Sequence, residues 1–269
     1  MERVEEHLEE VAGLPAFWRS APGSDPPVVY LHGSPTSSED WLPFLARTGG
    51  VAPDLPGFGR SGKGGHLDYS IAGYDAFLEA LLGHLGIDRF RLVVHDWGVA
   101  GLALAQRAPE RVDRLVLINA LPLLPGYRWH PIARLWRRRV VGEVVMGLAY
   151  RWTLGLIARL ASRGGSPPPP ELLDRIWAHF DPGTQRAILR LYRSGDPDVL
   201  AAAGSRLGGI AAPALVVWGE RDPYIPARFA DAYAAALPDA RVERLPGAGH
   251  WPWLEDPTVV DRVAEFLVV

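Results

Sequence analysis

The sequence predicts an α/β fold: a mostly parallel central sheet flanked by helices, with a helical segment inserted into it. Three observations predict this class. Short apolar runs recur along the chain, each ending in a turn signal. Strands that are apolar throughout belong in a sheet covered on both faces. Amphipathic helical patterns separate the runs, and strand–helix alternation gives parallel pairing. The alternation stops over residues 121–203 and then resumes.

The first run, residues 28–31, ends at His32-Gly33, and the second, 51–52, at Pro53-Asp54. Residues 70–85 then place Ile71, Tyr74, Phe77, Leu78, Leu81 and Leu82 at helical spacing, which makes one apolar stripe. The run 91–94 ends at His95-Asp96, and the Ala- and Leu-rich stretch 99–107 forms a helix that stops before Pro109. The run 114–118 leads to Asn119. Beyond it come Trp129, Trp136, Trp152, Trp177, many arginines and the break Ser166-Pro167-Pro168-Pro169-Pro170. That composition predicts a helical insertion with one stiff extended link. Runs 214–218 and 241–245, with helices over 227–237 and 257–267, complete the alternation. The expected division is a core of residues 1–120 and 204–269 and a helical cap of 121–203. A layer inserted after a strand of a parallel sheet covers the carboxyl ends of the strands, where such sheets bind ligands.

Composition narrows the function. The 269 residues suit one large domain with an insertion. With 48% hydrophobic and 22% charged residues the chain is globular rather than disordered. A net charge of −3 supplies no basic field, so no nucleic-acid partner is expected. The absence of cysteine excludes disulfides, a thiol nucleophile and cysteine-ligated metals. No segment reaches the roughly 18 uncharged apolar residues of a membrane span. The acidic start lacks a secretory pattern, so a cytoplasmic location with no membrane partner is expected. The Trp- and Arg-rich stretch 128–141 has the composition of a membrane-surface helix. A lid packing its apolar side onto the core is the expected arrangement.

The chemistry centres on Leu92-Val93-Val94-His95-Asp96-Trp97-Gly98-Val99-Ala100-Gly101. A strand runs into a tight turn, and small residues open the helix behind it. This is the layout of a nucleophile elbow, with Asp96 where serine usually stands. No G-x-S-x-G occurs in the chain, which disfavours a serine esterase. A carboxylate there can attack carbon and form an ester. Asp is also a favoured N-cap, so a structural role is the alternative. Two distant features favour catalysis. Asp222 follows the run 214–218, and His250 lies in the Gly-rich loop after the run 241–245. Nucleophile, acid and histidine then come in the chain order of a hydrolase triad. Glu220 competes for the acid role, although its place nearer the strand suits a salt bridge. In His32-Gly33-Ser34-Pro35 a strand ends in a Gly-containing turn whose N–H groups, with that of Trp97, can hold an oxyanion. His32 itself is read as a brace for that turn.

These segments, together with Asp54-Leu55-Pro56-Gly57-Phe58-Gly59-Arg60-Ser61 and Gly249-His250-Trp251, resemble the α/β-hydrolase superfamily. The nearer resemblance is to its aspartate-nucleophile branch, which holds epoxide hydrolases and haloalkane dehalogenases. It covers nearly the whole core and is vague over the cap. The resemblance implies an Asp96 ester cleaved by water that His250 activates and Asp222 supports, with no metal or organic cofactor. It leaves two leaving groups to choose between. Dehalogenases hold halide with the Trp after the nucleophile and a second donor, in many of them an Asn in the His-Gly-x-Pro turn. Here Trp97 is present, but position 34 is Ser. Epoxide hydrolases protonate the alkoxide with cap tyrosines. Tyr192 stands at a similar place to the later family tyrosine, and Tyr150 is taken as its partner, with Tyr127 as a replacement. On these grounds epoxide opening to a vicinal diol is the expected activity and dehalogenation the alternative. A non-catalytic ligand receptor on this fold is a third reading. The expected partners are a small hydrophobic organic substrate and water. Trp41, Trp97 and Trp251 are expected around the pocket, and a homodimer is left open.

Overall fold

In the computed structural model, residues 4–152, 155 and 168–268 are described. Eight strands form one sheet: β1 (Glu5–Val11), β2 (Leu14–Ala21), β3 (Val28–Leu31), β4 (Gly50–Pro53), β5 (Phe90–Asp96), β6 (Val112–Ala120), β7 (Ala214–Gly219) and β8 (Ala240–Leu245). Their order is β1-β2-β4-β3-β5-β6-β7-β8. β2 pairs antiparallel with β1 and β4, and the pairs from β4 through β3 to β8 are parallel. Every residue of β3, β4, β5 and β7 is buried, as continuous apolar runs require.

The β1–β2 hairpin was not expected. β1 reads EEHLEEV and is mostly exposed, so it carries no apolar signal. It holds the sheet edge through its ladder to β2 and through Glu6, which pairs with Arg19 and Arg60. Charges on an edge strand also oppose pairing with other chains.

Helices α1 (Leu42–Thr48), α2 (Ile71–His84) and α3 (Gly101–Arg107) lie between core strands. The Ser70 side chain caps α2 by accepting the Gly73 N–H at 3.2 Å. Between β6 and β7 run α4 (Pro131–Trp136), α5 (Val141–Gly147), α6 (Pro170–Ala178), α7 (Pro182–Ser194) and α8 (Pro197–Ala203). All but α5 open on proline, whose fixed φ suits the first helical turn. Pro169 is extended at φ −66° and ψ 152°, and Pro170 starts α6; Ser166 and Pro167 of the expected stiff link lie outside the described residues. α9 (Arg228–Ala236), α10 (Pro252–Glu255) and α11 (Thr258–Val268) complete the chain.

The inserted helices are fastened to the core by polar contacts. Lys63, the one lysine of the chain, meets Asp181 at 2.6 Å and the His179 carbonyl at 3.2 Å. Thr184 Oγ1 donates to the Gly57 carbonyl at 3.0 Å. The expectation that 128–141 packs its apolar side inward holds only in part. Trp129 and Ala133 are buried, whereas Leu135, Val140 and Val141 are exposed. Among the described residues no helix is long and apolar enough to cross a membrane.

Candidate active site

β5 ends at Asp96, whose backbone sits at φ 48° and ψ −120°. Few side chains tolerate that region, and such strain clusters at functional sites. The turn behind it closes because Gly98 lies against the Leu31 carbonyl, where a Cβ has no room. Gly33 faces Asp96 in the same way: an added Cβ would stand 2.5 Å from the Asp96 Cβ. Two close approaches thus bring the end of β3 onto the tip of β5.

The Asp96 carboxylate is buried and faces two other groups. Its Oδ1 accepts the Ser34 N–H at 3.0 Å, and the Trp97 N–H also stabilises its charge. Its Oδ2 lies 3.7 Å from His250 Nε2. On the far side of the ring, His250 Nδ1 is 2.7 Å from Asp222 Oδ2. The three residues that the sequence singled out from three separate strand ends therefore converge. Glu220 instead pairs with Arg244 at 2.9 Å.

Asp222 is itself held in place. Its Oδ1 accepts the N–H groups of Tyr224 and Ile225 at 2.8 and 3.0 Å. Its Oδ2 accepts Asn119 Nδ2 at 2.7 Å. Asn119 also accepts the Gly219 N–H at 2.9 Å, so it clips the ends of β6 and β7 together beside the acid. Sequence reasoning noted Asn119 only as the residue at which the run 114–118 ends, and missed this support. Its place after a strand end was the only signal. His95 accompanies it: His95 Nε2 meets the His250 carbonyl at 2.8 Å and steadies the loop. His32 accepts the Leu55 N–H at 2.9 Å and contacts the Gly33 carbonyl at 2.7 Å, so it braces the turn as expected.

Above Asp96 opens a cavity walled by Ser34, Pro35, His250 and Trp251 from the core and by Trp129, Trp136, Ile176 and Tyr192 from the inserted segment. Three expectations need correction here. Tyr150 is 54% exposed and is not part of the cavity wall, because it falls beyond α5 on the outer side. Trp41 stacks on Trp253 at 5.5 Å, inside the core. Trp97 is covered by the rings of Trp129 and Tyr192, with centroids at 5.7 and 5.4 Å. Tyr192 and Tyr127 do line the cavity.

A model of the alpha/beta hydrolase family matches residues 28–263. The chain belongs to the alpha/beta hydrolase family. Haloalkane dehalogenase 1 of Mycobacterium tuberculosis is 34% identical over 219 residues, spanning 74% of this chain and 69% of the relative. A haloalkane dehalogenase of Bradyrhizobium diazoefficiens is 28% identical over 91% of this chain and 88% of its own. The crystal structure of haloalkane dehalogenase DbeA from Bradyrhizobium elkani superposes with a TM-score of 0.82 at 27% identity, covering 98% of each chain.

The electrostatics of this alpha/beta hydrolase couple the three residues. Burial raises the Asp96 pKa, and His250 together with the Ser34 and Trp97 N–H groups pulls the other way. Burial alone would lower His250. The Asp222 carboxylate, by charge and hydrogen bond, outweighs it with help from Asp96 and holds the imidazole above its ordinary value. Removing the Asp96 charge would take away one of the influences that favour imidazolium, leaving more of His250 neutral. Both effects give the same sign on the acid side. Turnover should fall as pH drops, beginning above the ordinary carboxylate value of about 3.9. A pH–rate profile that stays flat down to about that value would contradict the coupling.

Proposed function

We propose that this hydrolase is a haloalkane dehalogenase whose nucleophile is Asp96. The observation that carries the reading is a set of orphaned donors. Tyr127 Oη is buried without a hydrogen-bond partner among the described residues, and Ser34 Oγ and Trp97 Nε1, also buried, have none but the nearby Tyr192 hydroxyl. Ser34 and Tyr127 line the cavity, and the Tyr192 hydroxyl lies close enough to Trp97 and Ser34 for both to favour its charged form. Buried polar groups are rarely left unpaired. Hydroxyl donors of Ser34 and Tyr127 in the wall of an apolar cavity, with the Trp97 N–H buried behind Tyr192, suit a departing anion.

In the proposed reaction an Asp96 oxygen attacks the carbon bearing the halogen, the carbon–halogen bond breaks, and halide leaves with the electron pair. His250 then removes a proton from water, which attacks the ester carbonyl. The N–H groups of Ser34 and Trp97, already directed at this carboxylate, stabilise the oxyanion. Collapse expels the alkoxide, which takes the proton from His250, and the remaining proton is released. No cofactor enters this scheme. The inserted helices act as a cap over the site, and the partners are a small hydrophobic haloalkane and water.

This reverses the preference drawn from the sequence. Epoxide opening rested on Ser at position 34 in place of Asn and on the place of Tyr192, with Tyr150 taken as its partner, and Tyr150 lies away from the cavity wall. The relatives named above are dehalogenases, and Ser34 offers a hydroxyl donor where an Asn amide was looked for. The second reading is kept by one observation: Tyr192 and Tyr127 both bring hydroxyls to the cavity. Separate incubations with 1-bromobutane and styrene oxide distinguish the two. Bromide and 1-butanol are expected, and diol without bromide would overturn the proposal.

A further inference from the structure

The stretch 128–152 holds six arginines and a single acid, Glu143, in a chain whose net charge is −3. Glu143 is engaged with Arg193 at 2.7 Å. Arg134, Arg138 and Arg139 are exposed, and none of them forms a salt bridge among the described residues. In the same stretch Leu135, Val140, Val141, Val144 and Trp152 are also exposed, Val140 by 74% and Trp152 by 70%. Val141 and Val144 stand three residues apart on α5, on one face of the helix. A clustered apolar surface rimmed by uncompensated cations is unusual on a soluble face.

We propose that this surface seats the protein peripherally on an anionic phospholipid membrane. That is contrary to the expectation, from the sequence, of no membrane partner. Charge selects the occupant. A twofold contact with a second copy would set these arginines against their own equivalents. A nucleic acid would pair with the arginines and leave the valines and Trp152 against phosphate. A bilayer with anionic headgroups takes both: the arginines meet the headgroups and the apolar side chains enter the acyl boundary. α4, which adjoins this surface, also supplies Ile132 and Trp136 to the cavity wall. Seating would therefore place the cavity beside an apolar phase.

The test is co-sedimentation of the full chain with phosphatidylcholine vesicles, with and without phosphatidylglycerol. Binding is expected only with phosphatidylglycerol and should fade at high salt. Arg138→Glu combined with Arg139→Glu should weaken it by about tenfold or more. Val144→Glu should weaken it comparably, and both variants should keep the parent's melting temperature. Equal binding to both vesicle types, or none to either, would overturn the proposal. So would a dimer in sedimentation velocity that Val144→Glu dissociates while vesicles bind nothing. Duplex DNA that binds as tightly as the vesicles would overturn it too.

Discussion

Asp96→Asn is expected to lower turnover of 1-bromobutane by a factor on the order of 10⁶, the scale seen when a covalent nucleophile is deleted. The substitution is nearly isosteric, and Asn tolerates the positive φ of this position, so the elbow and the Ser34 contact should persist. The neutral amide is a poor nucleophile towards carbon. The loss should therefore appear as absent bromide release in a protein of unchanged stability. A companion measurement separates covalent attack from direct displacement by water. In a single turnover of the parent protein in heavy-oxygen water, the ester route transfers label into the Asp96 carboxylate, because water attacks the carbonyl carbon. Direct displacement puts the label in the alcohol alone. An unlabelled Asp96 would sink the covalent mechanism even if Asp96→Asn were inactive.

The parts of the fold legible in the sequence are those with a local physical signature. β3, β5, β6 and β7 are apolar runs with turn signals at their ends, and the elbow shows itself in the small residues after Asp96. Asp222 and His250 were legible because each follows a strand of a parallel sheet, and such sheets gather strand ends at one edge. What failed had no local signature. The charged β1 reads as a polar tail until its ladder to β2 is known. Asn119 supports Asp222 through a contact 103 residues away in the chain. The cap tyrosines were ranked by distance along the chain, which says nothing about direction. Tyr150, past the end of α5, is exposed, whereas Tyr192 lies on the buried side of α7. Val140 and Val141, whose burial the sequence led one to expect, are exposed beside the start of α5.

His250→Gln is expected to stop the reaction halfway. The alkylation step needs only the Asp96 carboxylate and the donors around the halide, and none of these is the imidazole. The hydrolytic step needs a base 3.7 Å from the carboxylate that carries the ester, and removing a general base costs about 10² to 10⁴ in rate. One equivalent of bromide per active site should therefore appear in a burst, followed by a stall. Mass spectrometry should find one butyl group attached, and fragmentation should place it on Asp96. The variant loses the imidazolium that favours Asp96 ionisation, so the burst should slow at lower pH sooner than alkylation does in the parent protein. Asp222→Asn would give a milder version of the same phenotype, since it leaves the ring in place but removes the charge that holds the imidazole pKa up. Continued multiple turnover by His250→Gln at the parent rate would mean that another group activates the water. The 2.7 Å contact between His250 and Asp222 would then be structural, and the triad would reduce to its nucleophile.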